Sequence, residues 1–455
     1  MKRIGRLSPL LVPILLLLAA CDLLSQAPGA APAATTAPTA AVPTTAIAAT
    51  SVPPASPVAP AAPLRVWLPA EIGARTPAGG QELADQMQVF EVARSVEVLV
   101  EQKPVEGAGG ILSYLRTGTA VAPSILPDVI ALPTSMIADP AVRPMLQPLD
   151  AFFDPGALDD VFPSAAAQVI HDGRLYGVPF VSAGLTHLVY QRPPITTTVP
   201  MDWTAFISDT NNTLVLPADS REGALFGLQF YLAEGGTLVN EAGQPDLQAE
   251  PLARALRQIA QRPENLLQSR QLKTLDEAWQ YFQVGQSGFL WVRADYYLGR
   301  RGEPPPTAEP PGGPSFGTPD SPASASSELA YSRVPGPSGP LTPLTTTWAW
   351  AVTTPDPARQ ALAAELIAAL TVPEALAGWA ERSQLLPARR EALALLAQEG
   401  EYYRFVEAEL ERAEAMPISE SSRLLAAIGD AVFQVLTTDA SPEAIAEQTV
   451  LSLRQ

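Results

Sequence analysis

One cysteine, two histidines and forty-seven carboxylates are what this 455-residue chain offers for covalent, metal or acid–base chemistry. His171 and His187 stand sixteen residues apart with no companion ligand spacing, which argues against a zinc site. Neither a G-x-S-x-G elbow nor an S-x-x-K motif occurs where nucleophilic catalysis would need it. We therefore expect no catalytic residue, metal or cofactor, although so many carboxylates leave a glycosidase-type pair as the remaining catalytic reading. Recognition chemistry is better supplied. Arg293, Asp295 and Tyr296 follow the apolar run Phe289–Val292 and present a cation, a carboxylate and an aromatic face together. An aromatic face stacks on a sugar ring while polar neighbours fix its hydroxyls. The plainer reading is that Arg293 and Asp295 pair with each other at the surface.

The elements that would carry these residues alternate. Leu64–Leu68 reads as a short strand, and Gly80–Arg94 is amphipathic with Leu83, Met87 and Phe90 on one side. Val96–Val100 reads as a second strand, Ile111–Leu115 as a helical patch and Asp128–Leu132 as a third strand. That order predicts a parallel α/β sheet. Thr274-Leu275-Asp276-Glu277 and Thr371-Val372-Pro373-Glu374 read as capping boxes, and Ser441-Pro442-Glu443 starts a terminal helix. Asp172-Gly173 predicts a tight turn.

The N-terminal residues differ from all of this. Lys2, Arg3 and Arg6 precede the apolar run Leu7–Ala20, whose fourteen residues would span only ~21 Å as a helix, too short for a permanent membrane crossing. The stretch resembles a bacterial lipoprotein signal peptide, with Leu18-Ala19-Ala20-Cys21 matching its lipobox. The resemblance implies cleavage before Cys21, lipid on its thiol and new amino group, and a location on the extracytoplasmic face of the cell membrane. An uncleaved anchor or an ordinary signal peptide is the alternative. Residues 22 to 63 are almost entirely Ala, Pro, Thr and Ser and form a linker. As a coil it would reach about 35–40 Å, and in polyproline II toward about 130 Å. A second stretch rich in Pro, Gly, Ser and Ala, residues 300–327, reads as a mobile surface insertion.

Charge narrows the partners. The chain carries a net −18, and loss of Lys2, Arg3 and Arg6 would take it to −21. Neither nucleic acid nor an anionic lipid surface attracts such a protein, so attachment to the membrane must come from the lipid. Roughly 390 residues follow the linker, more than one core usually holds, so two lobes are expected.

Several segments, taken in order, carry a family likeness. They are Pro127-Asp128-Val129-Ile130, Leu146-Gln147-Pro148-Leu149-Asp150, Asp172–Phe180 with Tyr190, and Asp202-Trp203-Thr204-Ala205-Phe206. Gly235-Gly236 with Asn240–Pro245, Trp279–Gly285 leading to Phe289–Trp291, and Gln384–Arg389 complete the series. In these the chain resembles the bacterial extracellular solute-binding proteins of the sugar-transport type, over essentially all of residues 64 to 455. The resemblance implies a two-lobed α/β fold of the periplasmic-binding type (type II), with discontinuous lobes joined by a hinge. Lobe one would comprise 64–182 and 333–388, lobe two 186–332 and 389–455, with the hinge crossing at Ser182-Ala183-Gly184-Leu185.

Ligands of open α/β sheets bind beyond the carboxyl ends of strands. On that rule the contacts are expected at Glu71 after the first strand, at Thr134 and Ser135 after the third, and at Phe180 and Ser182 near the hinge. Tyr190, Arg293, Asp295, Tyr296 and Trp348 complete the expected set. The resemblance implies a monomeric receptor that hands a small solute, with a carbohydrate the leading expectation, to the permease subunits of an ABC importer. One departure matters: members that bind maltose-type sugars carry a carboxylate at the hinge, where this chain has Ala183 and Gly184. Ligand identity is therefore not carried over, and peptide or polyol remains open. A solute-sensing or adhesive surface lipoprotein uncoupled from transport is the alternative function.

Overall fold

The computed structural model describes residues 62–121, 125–192, 195, 198–240, 244–261, 263–302, 328–398, 400–418 and 422–454. Cys21, the signal segment and nearly all of the linker lie outside the described residues, as does most of the expected insertion.

The amino-terminal alternation forms as the sequence predicts, with shifted edges. Leu64–Leu68 pairs in parallel with Val98–Gln102 on one side and with Val129–Pro133 on the other. The helix between the first two strands spans Pro77–Arg94 and buries Leu83, Met87 and Phe90. It starts three residues earlier than the apolar pattern implies because Thr76 accepts the Gly79 N–H and Pro77 occupies the first turn. Its end displaces the next strand: Ser95 is left-handed (φ 52°) and the Val96 N–H still bonds the Glu91 carbonyl, so the strand begins at Val98.

Three further strands complete the path of the first sheet, in the order Leu386–Pro387, Val178–Ala183, Leu344–Val352, Val129–Pro133, Leu64–Leu68, Val98–Gln102. Leu344–Val352 runs antiparallel to both its neighbours. A second sheet of four strands runs Glu328–Ser332, Thr186–Arg192, Phe289–Arg293, Leu214–Val215. The chain passes directly from one to the other: Val178–Ala183 belongs to the first sheet and Thr186–Arg192 to the second, with Gly184 at φ 77° between them. That backbone conformation is readily open to glycine and strained for a side chain.

One face of the second sheet has a packed interior of its own, while its other face, through Val189, Val215, Leu290 and Val292, joins the interior of the first sheet. Phe180 is fully buried between Trp350 and Trp379, with ring centroids 4.6 and 5.4 Å away. In the second lobe Trp203, Phe206, Phe226, Phe230 and Phe289 interlock, mostly edge to face. The buried cluster of the first lobe continues beneath the helices Leu275–Gln283, Ala294–Arg300 and Glu401–Leu410.

The local signals fared unevenly. Thr274 caps its helix by accepting the Glu277 N–H at 3.2 Å, and Ser441 likewise accepts from Ala444. Asp172 and Gly173 both have positive φ, as the tightest hairpin turn requires. Thr371 does not cap the helix Pro373–Ser383. Its hydroxyl donates back to the Ile367 carbonyl and closes the preceding helix, while Val372, held extended before proline, starts the next one.

Candidate functional site

The carboxyl ends of Leu64–Leu68 and Val129–Pro133 fall at one edge of the first sheet. Those of Leu214–Val215 and Phe289–Arg293 fall at one edge of the second. The hinge joins the two edges. Glu71 is exposed on the short helix Ala70–Gly73, immediately beyond the first strand. Thr134 opens the helix after the third strand and is buried; its hydroxyl donates to Gln168 Oε1 at 2.5 Å and approaches the Thr347 carbonyl at 3.2 Å. Ser182 shares a 3.0 Å hydrogen bond with the Thr347 hydroxyl. Trp348, paired with Pro133 in the sheet, shows a small exposed fraction at this edge. Thr134, Ser182 and Trp348 thus meet around Thr347, with Ser135 half-buried beside them.

On the second lobe Arg293 and Asp295 do pair, at 3.0 Å, but they are not at the surface. The Asp295 side chain is 1% exposed and that of Arg293 15%. Arg293 also reaches Glu222 at 3.4 Å, and Asp295 accepts from Arg75 of the first lobe at 3.0 Å and from the Gly184 N–H at 3.0 Å. Burial pushes the Asp295 carboxyl up, but Arg293, Arg75 and the Gly184 amide outweigh it and hold it below the usual carboxylate value. A carboxylate therefore stands at the hinge after all, delivered from 111 residues away rather than by the crossing itself.

Tyr296 lies half-buried next to this group. Its hydroxyl donates to Asp276 at 2.6 Å, its ring meets Trp279 edge to face, and the Arg300 guanidinium sits 5.5 Å from the ring centre. Two expected residues are placed elsewhere. The Phe180 ring is enclosed in the tryptophan stack described above. Tyr190 pairs with Phe289 at the far end of a strand whose near end pairs with Arg293, and its hydroxyl accepts from Arg192 at 2.7 Å.

Sequence reading passed over Arg75 and the segment Asp219–Glu222. The latter follows Leu214–Val215, with Ser220 capping the helix Arg221–Ala233. A cavity of about 340 Å³ lies there, lined by Asp219, Ser220, Arg221, Ser422, Leu425 and Asp430. The strand-end rule could have found this segment; nothing local marks Arg75. A larger cavity of about 410 Å³ sits at the opposite end of the first sheet, lined by Ala62, Arg65, Asp128 and Arg359 among others. Its charged groups are engaged with each other, Arg359 Nε donating to Asp128 at 2.6 Å while Nη2 holds the Pro63 carbonyl at 2.7 Å. Strand amino ends are not where such sheets bind ligands, and we assign this cavity to the anchoring of the chain's entry.

Residues 88–409 match the family model described as bacterial extracellular solute-binding protein. The chain belongs to that family. Among solved structures, this solute-binding protein is similar to the sugar-binding protein MalE of the phytopathogen Xanthomonas citri, with 18% identity and a TM-score of 0.65 over 86% of this chain and 95% of that one. The cyclic α-maltosyl-1,6-maltose binding protein of Arthrobacter globiformis matches with 16% identity and a TM-score of 0.61, over 86% and 97% of the two chains. The GacH receptor of Streptomyces glaucescens, solved unliganded and with acarbose, matches with 21% identity and a TM-score of 0.59, again over 86% and 97%. No curated protein sequence matches significantly. At these identities the structural likeness establishes the two-lobed periplasmic-binding fold for the solute-binding protein, whose family consists of binding proteins rather than enzymes.

Proposed function

We propose that this chain is a lipid-anchored extracytoplasmic receptor that takes a small carbohydrate between its two lobes and delivers it to an ABC importer by closing on it. The observation that carries the reading is the hinge: two separate sheets exchange the chain at Gly184, and strand ends from both converge there. The carbohydrate part draws support from the structural relatives, among them a cyclic α-maltosyl-1,6-maltose binding protein and a receptor solved with acarbose. Glu71, Ser135 and Tyr296 would face the solute, with Asp219 added from the second lobe. Thr134, Ser182 and Trp348 would form the floor, and Phe180 and Tyr190 would hold the walls from behind.

No bond is made or broken in this mechanism. The solute binds one lobe in the open form and both in the closed form, and that difference in affinity drives closure. The permease then reads the closed shape. Cys21, through its lipid, confines a monomeric receptor near its transporter. A thermal-shift panel of mono- and oligosaccharides, with peptides as contrast, tests the ligand class: a true ligand at a hundred times its Kd stabilises the folded state by about 2.7 kcal/mol. Stabilisation by peptides alone would overturn the carbohydrate reading. Scattering with the ligand so found tests closure, which predicts a smaller radius of gyration on binding.

A further inference from the structure

Two lobes and the hinge between them meet on one buried carboxylate. Asp295 starts the helix Ala294–Arg300, directly behind the second-sheet strand that ends at Arg293. Its Oδ1 accepts the hinge N–H of Gly184 at 3.0 Å. Its Oδ2 accepts from Arg293 of its own lobe and from Arg75 of the other, each at 3.0 Å, and Arg75 also donates to the Asp295 main-chain carbonyl at 3.3 Å. We propose that Asp295 is a cross-lobe latch that draws the open–closed balance of the solute-free receptor part of the way toward closure at its hinge end, leaving the solute to complete it, and that Arg75 is the half that lets go.

The two halves differ in what opening would do to them. Arg75 has a side chain 27% exposed, so water can replace its partner as the lobes part. Asp295 would keep Arg293 of its own lobe, so opening strands no unpaired buried carboxylate, the situation that makes a broken buried ion pair expensive. The Gly184 bond makes the hinge part of the same unit. Rotation about the crossing changes the direction of that N–H, and a carboxylate fixed on both sides resists the change.

The seat that Arg75 occupies is also braced. The neighbouring Thr76 hydroxyl donates to the Arg382 carbonyl at 2.5 Å, at the end of the helix Pro373–Ser383. Gln384, next in the chain, lies against the same second-lobe helix at Gly299, where an added Cβ would come within 2.8 Å of the Gln384 Oε1. The helix Ala294–Arg300 therefore rests on the first lobe at both ends, through Asp295 at its start and Gly299 near its finish.

This inference rests on the two-lobed fold and not on the carbohydrate reading. Its test uses the full chain without added solute and compares Arg75→Ala, Arg75→Lys and Gly299→Ala with wild type. Amide exchange of the segment Ser182–Thr186 and the radius of gyration are measured in each. The latch predicts roughly tenfold faster exchange at the hinge in Arg75→Ala, equivalent to about 1.4 kcal/mol in the open–closed balance, with a larger radius. Arg75→Lys should fall between Arg75→Ala and wild type, whereas Gly299→Ala, whose added methyl meets only the mobile end of the Gln384 side chain, should stay near wild type. Unchanged hinge exchange and radius in Arg75→Ala would overturn the latch, as would a solute-free wild type already as extended as Arg75→Ala. Neither result touches the carbohydrate reading, which stands or falls with the thermal-shift panel.

Discussion

The aromatic interior of the second lobe and the charged junction between the lobes are both buried, yet they are built on opposite terms. Trp203 meets Phe226 and Phe230 edge to face, and those two rings meet tilted, with centroids 5.0 to 5.9 Å apart, and no partner can withdraw without leaving a void. Arg75, Asp295 and Arg293 are joined by directed charge-assisted bonds, with Glu222 an ion-pair neighbour of Arg293, and several of these contacts persist if one is given up. Apolar interlocking suits a surface that never opens. A chain of ion pairs with one hydratable end suits the surface that the proposed closure requires to open.

Truncation at the aromatic centre should have the larger effect. Trp203→Ala removes a fully buried ring and its 2.8 Å bond to the Gln258 carbonyl, and should lower unfolding free energy by about 3–5 kcal/mol in a denaturant titration. A loss below about 1 kcal/mol would mean that this core yields as easily as the junction does. Asp295→Ala should lower it by less, about 2–3 kcal/mol, because Arg293 retains Glu222 and Arg75 is partly hydrated. Should Asp295→Ala prove the more damaging of the two, the junction is a structural core and not a separable contact.

A third region sharpens the contrast by being polar yet sealed. His187 is fully buried at the start of the second-lobe sheet, shares a 2.7 Å hydrogen bond with the Tyr402 hydroxyl, and meets Tyr297, Tyr402 and Phe405 edge to face. Burial lowers its pKa from 6.5 to about 3, against the opposing pull of its own backbone and of Asp295. The unfolded chain therefore takes up a proton that the folded chain refuses. The resulting stability is complete above about pH 6.5 and is lost as the pH falls toward 3, at up to about 1.4 kcal/mol per unit. Stability measured at pH 6.5 and 5.5 should differ by about 1 kcal/mol from this group. His187→Phe should remove that slope, though the variant starts lower because Tyr402 loses its partner. A slope that survives the substitution places the acid sensitivity elsewhere.

How far the sequence discloses these regions follows from the range of the forces involved. Leu83, Met87 and Phe90 announce a helix face, and Asp172-Gly173 announces a turn, because both depend on neighbours in the chain. Trp203 and Trp291, both fully buried, lie inside apolar segments that mark them as core for the same reason. The Thr371 box misled because proline two residues later sets the backbone before the hydroxyl can act. The junction was half legible: Arg293 and Asp295 are adjacent enough to be paired on sight, but Arg75 lies 220 residues from Asp295, and no local pattern ties them. Family likeness pointed to the hinge and noted its missing carboxylate; only the folded chain brings Asp295 there.

The smallest expected effect is the most informative about the solute. Tyr296→Phe deletes a hydroxyl whose 2.6 Å bond to Asp276 is exposed, while the ring keeps its contacts with Trp279 and Arg300. Exposed pairs of this kind contribute at most about 1 kcal/mol, so the unfolding midpoint should move little. Tyr296→Ala should also leave the fold intact, since the ring is only half-buried. If Tyr296 faces the solute, the two variants separate on binding: the phenylalanine keeps the stacking face and loses little affinity, whereas the alanine loses the face and binds at least tenfold more weakly in the thermal-shift titration. Equal binding by both variants would remove Tyr296 from the site and leave its ring as packing for Trp279. Equal loss in both would make the hydroxyl, oriented by Asp276, the recognising group. Either outcome moves the boundary between the part of the junction that holds the lobes and the part that reads the solute.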